Sequence, residues 1–194
     1  MEDGELQRVV PGVRSWESVQ RGDPDALDRL FEHWTAPILQ WCRRMGGPRV
    51  DAEQAAQDIC LVVLAKIGQV ERPAQLPAWL FAVTRRVLAR HRRWVWAQRW
   101  IPGIAPERAA PGGGPDKQAI LSEESKVVQQ ILQEMPEDLR NVLVLADLDE
   151  RPDTEVADML DLKLGTAKSR LRRARALFRE QASSRGLGTN WGEE

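Results

Sequence analysis

Two stretches of this chain concentrate side chains suited to holding a polyanion. Arg85, Arg86, Arg90, Arg92, Arg93 and Arg99 fall within one segment that contains no acid, and Lys163, Lys168, Arg170, Arg172, Arg173, Arg175 and Arg179 fall within a second. Ammonium and guanidinium groups neutralise phosphates, and a guanidinium also pairs with a guanine edge through two parallel hydrogen bonds. The whole chain has a formal net charge of only -1, from 28 Lys and Arg against 29 Asp and Glu. Setting aside the thirteen cations of the two segments leaves 15 positive against 29 negative charges, a net of -14. The molecule is therefore polarised, and a local patch rather than the total decides where a polyanion docks. One such run is commonly a solvated helix face; two in separate segments point toward binding.

Other chemistry finds little support in the residues. His33 and His91 are isolated, with no nearby pairing of nucleophile and carboxylate, and Gly112-Gly-Gly114 lacks the Lys-Ser/Thr and strand context of a phosphate loop. Cys42 and Cys60 lack the spacing of a zinc site and read as small core residues in a reducing compartment. We expect no enzyme, no metal and no cofactor. No run approaches twenty apolar residues, and the stretch from Met1 to Gly22 lacks the cationic start and apolar middle of a signal peptide. A cytoplasmic protein without membrane insertion is expected.

The elements that must position the cations read as helices. In 194 residues there is room for two domains of roughly ninety each. Asp23-Pro24 is an N-cap followed by Pro at the first helical position, after which Leu27, Leu30, Phe31, Trp34, Ile38 and Trp41 recur at helical spacing, with Pro37 expected to bend the helix. Asp51 with Gln54 resembles a capping box and opens a helix striped by Ala55, Ile59, Val63 and Ile67. Pro77 opens a third, with Leu80, Val83, Val87, His91 and Val95 inward. On its other side Arg85, Arg92 and Arg99, then Arg86, Arg93 and Trp100, repeat at intervals of seven around Trp96, so cations and indoles share a face. Trp34, Trp41 and Trp79 read as core. Prolines and glycines between residues 101 and 121 make a flexible linker. The expected architecture is all-α: a domain over 15–100, the linker, and a helix-turn-helix domain over 122–182.

Within the second domain, residues 154–174 have the proportions of a helix-turn-helix. Val156, Ala157 and Leu160 would pack its first helix, and Ala167, Leu171, Ala174 and Phe178 its second. Thr166, Lys168, Ser169, Arg172, Arg173 and Arg175 then face outward where such a helix enters the major groove.

These residues also carry a resemblance. Met135-Pro-Glu-Asp-Leu-Arg-Asn-Val-Leu-Val-Leu-Ala146, Glu155-Val-Ala157 and Gly165-Thr-Ala-Lys-Ser-Arg-Leu-Arg-Arg-Ala-Arg175 resemble the fourth conserved region of bacterial sigma factors. Arg21-Gly-Asp-Pro-Asp-Ala-Leu27, Ala52-Glu-Gln-Ala-Ala-Gln-Asp58 and Trp79-Leu80 with Val83-Thr-Arg85 resemble the second region, in order and spacing. With a linker in place of the central domain, the match is to the extracytoplasmic-function (ECF) group of the sigma-70 family.

The resemblance implies a factor that directs core RNA polymerase to a two-element promoter and assists its opening. It implies polymerase contact through Gln54, Gln57 and Asp58 on the β′ clamp helices, with a second-domain contact on the β flap. It maps a base-capture loop to residues 71–77 and minus-ten contacts to Arg72, Trp79, Ala82, Arg85, Arg86 and Arg93. It assigns Thr166, Lys168, Ser169, Arg172, Arg173 and Arg175 to the minus-thirty-five element. An anti-sigma factor holding the two domains is a further implied partner. Where the family commonly has Asp, Asn and Asp, this chain has Gln54, Arg86 and Arg90, the two arginines adding charge beside DNA. Glu150 and Asp161 stand where turn glycines are frequent. A helix-turn-helix regulator acting without polymerase, and a degenerate sigma-like interaction protein, remain alternative readings.

Overall fold

The computed structural model describes residues 2–47, 49–98 and 123–187. The linker over 101–121, Arg99 and Trp100 lie outside the described residues. Among the described residues, every regular element is helical.

The first unit is organised around a long helix, α3 (Pro24–Met45). The Asp23 side chain accepts from the Asp25 backbone N–H, satisfying one of the orphan donors at a helix start, and Pro24 needs no donor there. Pro37 lies inside this helix. Its inner face carries Leu30, Trp34, Ile38, Trp41 and Met45, all at most 3% exposed. Trp41 meets Phe81 edge-to-face at 5.1 Å, a geometry favoured by the ring quadrupoles. Phe81 belongs to α5 (Leu76–Gln98), and α4 (Ala52–Lys66) packs against both long helices. At the start of α4, Asp51 accepts from the Glu53 and Gln54 N–H groups; the Gln54 side chain turns forward to Asp58 instead of closing a reciprocal box.

Two helices precede this bundle. α1 (Glu2–Val9), α2 (Trp16–Gln20) and the turn between them bury Leu6, Val9, Val10, Val13, Trp16 and Val19 in the same core, extending its packing before the expected boundary at residue 15. The core reading of Trp34 and Trp41 agrees with their burial, whereas Trp79 is half-buried.

The second unit contains α6 (Glu123–Glu134), α7 (Glu137–Leu143), α8 (Asp153–Met159) and α9 (Leu164–Ser184). A π-helical turn, Val144–Leu148, continues α7 and leads to an acidic corner at Asp149. Helices α8 and α9 form the helix-turn-helix. Their turn closes with Leu162 N–H on the Ala157 carbonyl and Asp161 N–H on the Asp158 carbonyl, the bond pattern of a Schellman C-cap.

The two units touch. Asp149 accepts from the Trp41 indole N–H and from Arg44, both at 2.6 Å, and Glu137 lies against Arg92 at 3.0 Å and Arg85 at 3.7 Å. Gln129 of α6 donates to the Arg43 carbonyl at the end of α3.

Both residues that stand in place of turn glycines adopt left-handed backbone, Glu150 at φ 54 and Asp161 at φ 53. A Cβ in this region crowds the carbonyl oxygen, and a Glu side chain lacks the short polar reach that helps Asp tolerate it. Glu150→Gly is expected to stabilise the fold by about 1 kcal/mol, with a smaller gain for Asp161→Gly. Urea unfolding with an unchanged m-value would register both gains; a loss in either variant contradicts the strain assignment.

Candidate nucleic-acid interface

Helix α9 separates its two faces by helical period. Ala167, Leu171, Ala174 and Phe178 are at most 5% exposed, while Lys168, Ser169, Arg172 and Arg173 are open to solvent. Thr166 is half-buried, and its carbonyl accepts from the Ser169 hydroxyl. Lys168 approaches Asp153 of α8 at 4.0 Å, but both side chains are well exposed and their attraction is correspondingly weak.

Arg175 departs from the outward placement read from the sequence. Its Nε and Nη2 donate to Asp147 of the π turn, with the shortest contact at 2.6 Å, and this bonding raises its pKa from the ordinary guanidinium value. The pair braces α9 against the acidic corner. The exposed cationic row of the recognition helix thus centres on Lys168, Arg172 and Arg173.

The shared cation and indole face expected on α5 divides into two rows, because a one-residue step rotates a helix by about 100°. Arg86 and Arg93 are exposed, as are Trp94 and Trp96 at 59% and 61%. Arg85 and Arg92 turn instead toward the second unit. Arg92 bridges the Met45 carbonyl at the end of α3 and the Glu137 carboxylate, both at 3.0 Å. Arg85 reaches Glu137 less well: its buried Nε has no hydrogen-bond partner. Trp79 and Ala82 are half-buried near the start of the helix, and Arg72 is exposed in the preceding loop.

On α4, Gln54 and Gln57 face solvent, whereas Asp58 is engaged with α5. Its carboxylate meets Arg90 at 2.8 Å and His91 Nε2 at 3.0 Å, with Gln54 at 3.4 Å. Hydrogen bonding to His91, aided by Gln54 and the Arg90 charge, lowers the Asp58 pKa despite partial burial. Arg90 thus pairs with Asp58 while its side chain stays 58% exposed. Leu61 and Leu64, 63% and 49% exposed, continue the line of Gln54 and Gln57 along the helix. Their spacing of three and four is present in the sequence, where the buried stripe of Ala55, Ile59, Val63 and Ile67 gives the stronger signal.

The thiols offer no reactive centre in this arrangement. Burial, then the neighbouring Cys60, pushes Cys42 up to about 12, and burial also raises Cys60. Among the described residues, no group of three or more metal-ligating side chains is assembled, and no helix is long and apolar enough to cross a membrane.

Comparison with known proteins agrees with this arrangement. Residues 30–100 match the family described as Sigma-70 region 2, and residues 125–178 match Sigma-70, region 4. The chain is 26% identical over 174 residues to the ECF RNA polymerase sigma factor SigW of Bacillus subtilis, covering 85% of this chain and 93% of that protein. It is 24% identical over 170 residues to the ECF RNA polymerase sigma-E factor of Escherichia coli K12, covering 82% and 87%. CnrH, solved in complex with the cytosolic domain of CnrY, superposes with a TM-score of 0.65 at 20% identity, covering 87% of this chain and 95% of that one. The sigma factor RpoE of Bartonella quintana, solved with the anti-sigma factor NepR, gives 0.56 at 22% identity, covering 79% and 96%. The likeness to these two structures is one of fold. The chain belongs to the sigma-70 family of transcription initiation factors, within its extracytoplasmic-function group.

The Asp58 cluster makes a pH prediction. Its lowered folded-state pKa means that its stabilising contribution is complete above the ordinary value of 3.8 and is lost as pH falls through the lower folded value. Asp58→Asn should therefore be less stable than the parent near neutrality, and the gap should close in acid. Urea unfolding at both conditions checks this; a gap that persists unchanged in acid contradicts it.

Proposed function

We propose that this chain directs core RNA polymerase to two-element promoters by dividing the work between its two helical units. The observation that carries this reading is the order of surfaces along one chain: a polar and apolar stripe on α4, a cationic and indole face on α5, then a cationic recognition helix in a helix-turn-helix. The proposed first domain spans 15–100 and the second 122–182, joined by the linker over 101–121.

In this reading Gln54 and Gln57, flanked by Asp58 and continued by Leu61 and Leu64, meet the β′ clamp helices. A surface with apolar side chains within a polar rim suits a protein partner better than DNA. The second domain meets the β flap. Arg86 and Arg93, with Arg72, Trp79 and Ala82 nearby, border the melted minus-ten strand, where phosphates need cations and unpaired bases need stacking surfaces. Base stacking on an aromatic ring is worth about 1–3 kcal/mol, and exposed Trp94 and Trp96 offer such rings near the end of α5. Lys168, Ser169, Arg172 and Arg173, with half-buried Thr166, read the minus-thirty-five element in the major groove. Arg175 would support that helix through Asp147.

The closed arrangement has a functional consequence. Glu137 engages Arg85 and Arg92, so the second unit covers part of the cationic surface assigned to the minus-ten strand. Polymerase would separate the units and set each over its own promoter element. An anti-sigma factor, the kind of partner with which the Bartonella quintana relative was solved, would favour the closed arrangement. Catalysis belongs to the polymerase, and the cytoplasm is the compartment in which this factor would meet it.

Run-off transcription with purified core polymerase across a promoter library should yield start-specific products. Their absence at every promoter contradicts the proposal, and specific operator binding by the free chain would favour a conventional regulator. Arg172→Ala with Arg173→Ala should weaken promoter binding while preserving core affinity, and should flatten the logarithmic salt dependence by about 2. Equal loss of core affinity would show that this face is not dedicated to DNA.

A further inference from the structure

The stretch matched to Sigma-70 region 2 begins at residue 30, yet the layer that holds the loop before α5 is built from residues 2–20. α1 packs against the 3-10 turn Pro73–Gln75, and α2 packs against the preceding turn, Ile67–Gln69. The connection between α1 and α2 is tied down. Gln7 donates to the Val13 carbonyl at 2.7 Å and accepts from the Gly12 N–H at 2.9 Å, while Gly12 takes the positive φ of 79 that an L side chain resists. The Trp34 indole donates to the Val9 carbonyl at 2.7 Å, joining this layer to α3.

Two donors from α2 converge on one acceptor. The Trp16 indole N–H lies 3.0 Å and the Gln20 amide 2.8 Å from the Val70 carbonyl oxygen. Together they can occupy both lone-pair directions of that oxygen. Trp16 is 7% exposed and Val70 3% exposed, so water has little access with which to replace the indole bond. A Cβ on Gly68 would meet the Gln20 carbonyl at 3.1 Å, another sign that α2 and this turn approach closely.

The peptide group makes the consequence local and directional. The Val70 carbonyl and the Glu71 N–H belong to one rigid plane, so holding the oxygen orients the bond by which the chain enters the exposed loop. Beyond it, Glu71, Arg72, Ala74 and Gln75 are exposed, while Pro73 and Leu76 return to the core. Arg72 N–H donates to the Gln75 side chain, which closes the loop upon itself but does not orient it against the bundle. That orientation comes from Val70 at one end and from the buried Pro73 and Leu76 at the other.

We propose that Trp16 and Gln20 are specificity-positioning residues: by clamping the Val70 carbonyl they set the direction of residues 71–75 and hence which unpaired minus-ten base the loop accepts. This rests on the assignment of residues 71–77 as the base-capture loop. The two residues touch no DNA themselves. Their effect is on the geometry of a loop that does.

The test uses full-length chain bound to core polymerase, presented with forked DNA whose single-stranded non-template segment is randomised over the minus-ten element. Trp16→Phe keeps an aromatic ring and removes its donor; Gln20→Met keeps length and removes the amide. Either variant should retain core affinity while losing about fivefold in discrimination at one minus-ten position, the scale of one hydrogen bond. Gln20→Lys restores a donor and should recover the preference. An unchanged preference in both donor-deletion variants, alongside a change in Gln75→Ala, overturns the clamp and leaves the loop assignment standing. If Arg72→Ala and Gln75→Ala also leave base preference unchanged, the loop assignment fails together with the clamp. Parallel loss of core affinity and base preference in Gln20→Met would show a general structural role and overturn the proposal.

Discussion

Asp149 ties the two helical units together through two side-chain hydrogen bonds at 2.6 Å. Its two carboxylate oxygens are divided between the Trp41 indole and Arg44, both near the C-terminal end of α3. Hydrogen bonds to a charged group are worth about 1.5–3 kcal/mol each, enough to orient an interface without supplying the stability of either core. The neighbouring Glu137 contact is less complete, because it leaves the buried Arg85 Nε without a hydrogen-bond partner. Arg92 on Glu137 and Gln129 on the Arg43 carbonyl, each at 3.0 Å, are satisfied contacts beside it, and an interface with a poorly satisfied edge at Arg85 is suited to being exchanged for another partner.

The same economy of acids explains the charge arrangement. Acidic side chains meet selected cations: Asp147 braces Arg175, Asp58 holds Arg90, and Glu137 covers Arg85 and Arg92. Arg86, Arg93, Arg172 and Arg173 remain exposed on the faces assigned to promoter DNA. A near-zero formal charge therefore describes a molecule whose cations are sorted into structural and surface-facing sets. The sorting also bears on selectivity, since a smaller exposed cationic surface limits attraction to any phosphate backbone.

Much of this was legible because long amphipathic helices repeat their instructions. Leu30, Trp34, Ile38 and Trp41 mark one face over several turns, and Ala167, Leu171, Ala174 and Phe178 do so again in the recognition helix. The start of the chain gave a weaker signal: Leu6, Val9, Val10, Val13 and Trp16 are distributed over a helix, a turn and a second short helix, so no single period links them. Side-chain destinations were less legible still. Exposure of Arg175 followed from its helix position, but its bond to Asp147 depends on the π turn that redirects the chain after α7. Asp149 and Arg44 are separated by 105 residues, beyond what a local spacing can report. Trp16 and Gln20 likewise gain their role only when folding brings the Val70 carbonyl between them.

In the proposed function DNA affinity belongs chiefly to the assembly with polymerase, because the free chain holds part of its cationic surface against its own acids. A salt titration of binding to one duplex carrying both promoter elements, performed with the free chain and with its complex with core polymerase, addresses this directly. Weak, steeply salt-dependent binding by the free chain and tight binding by the complex are expected. Tight, polymerase-independent binding by the free chain at physiological salt would contradict it.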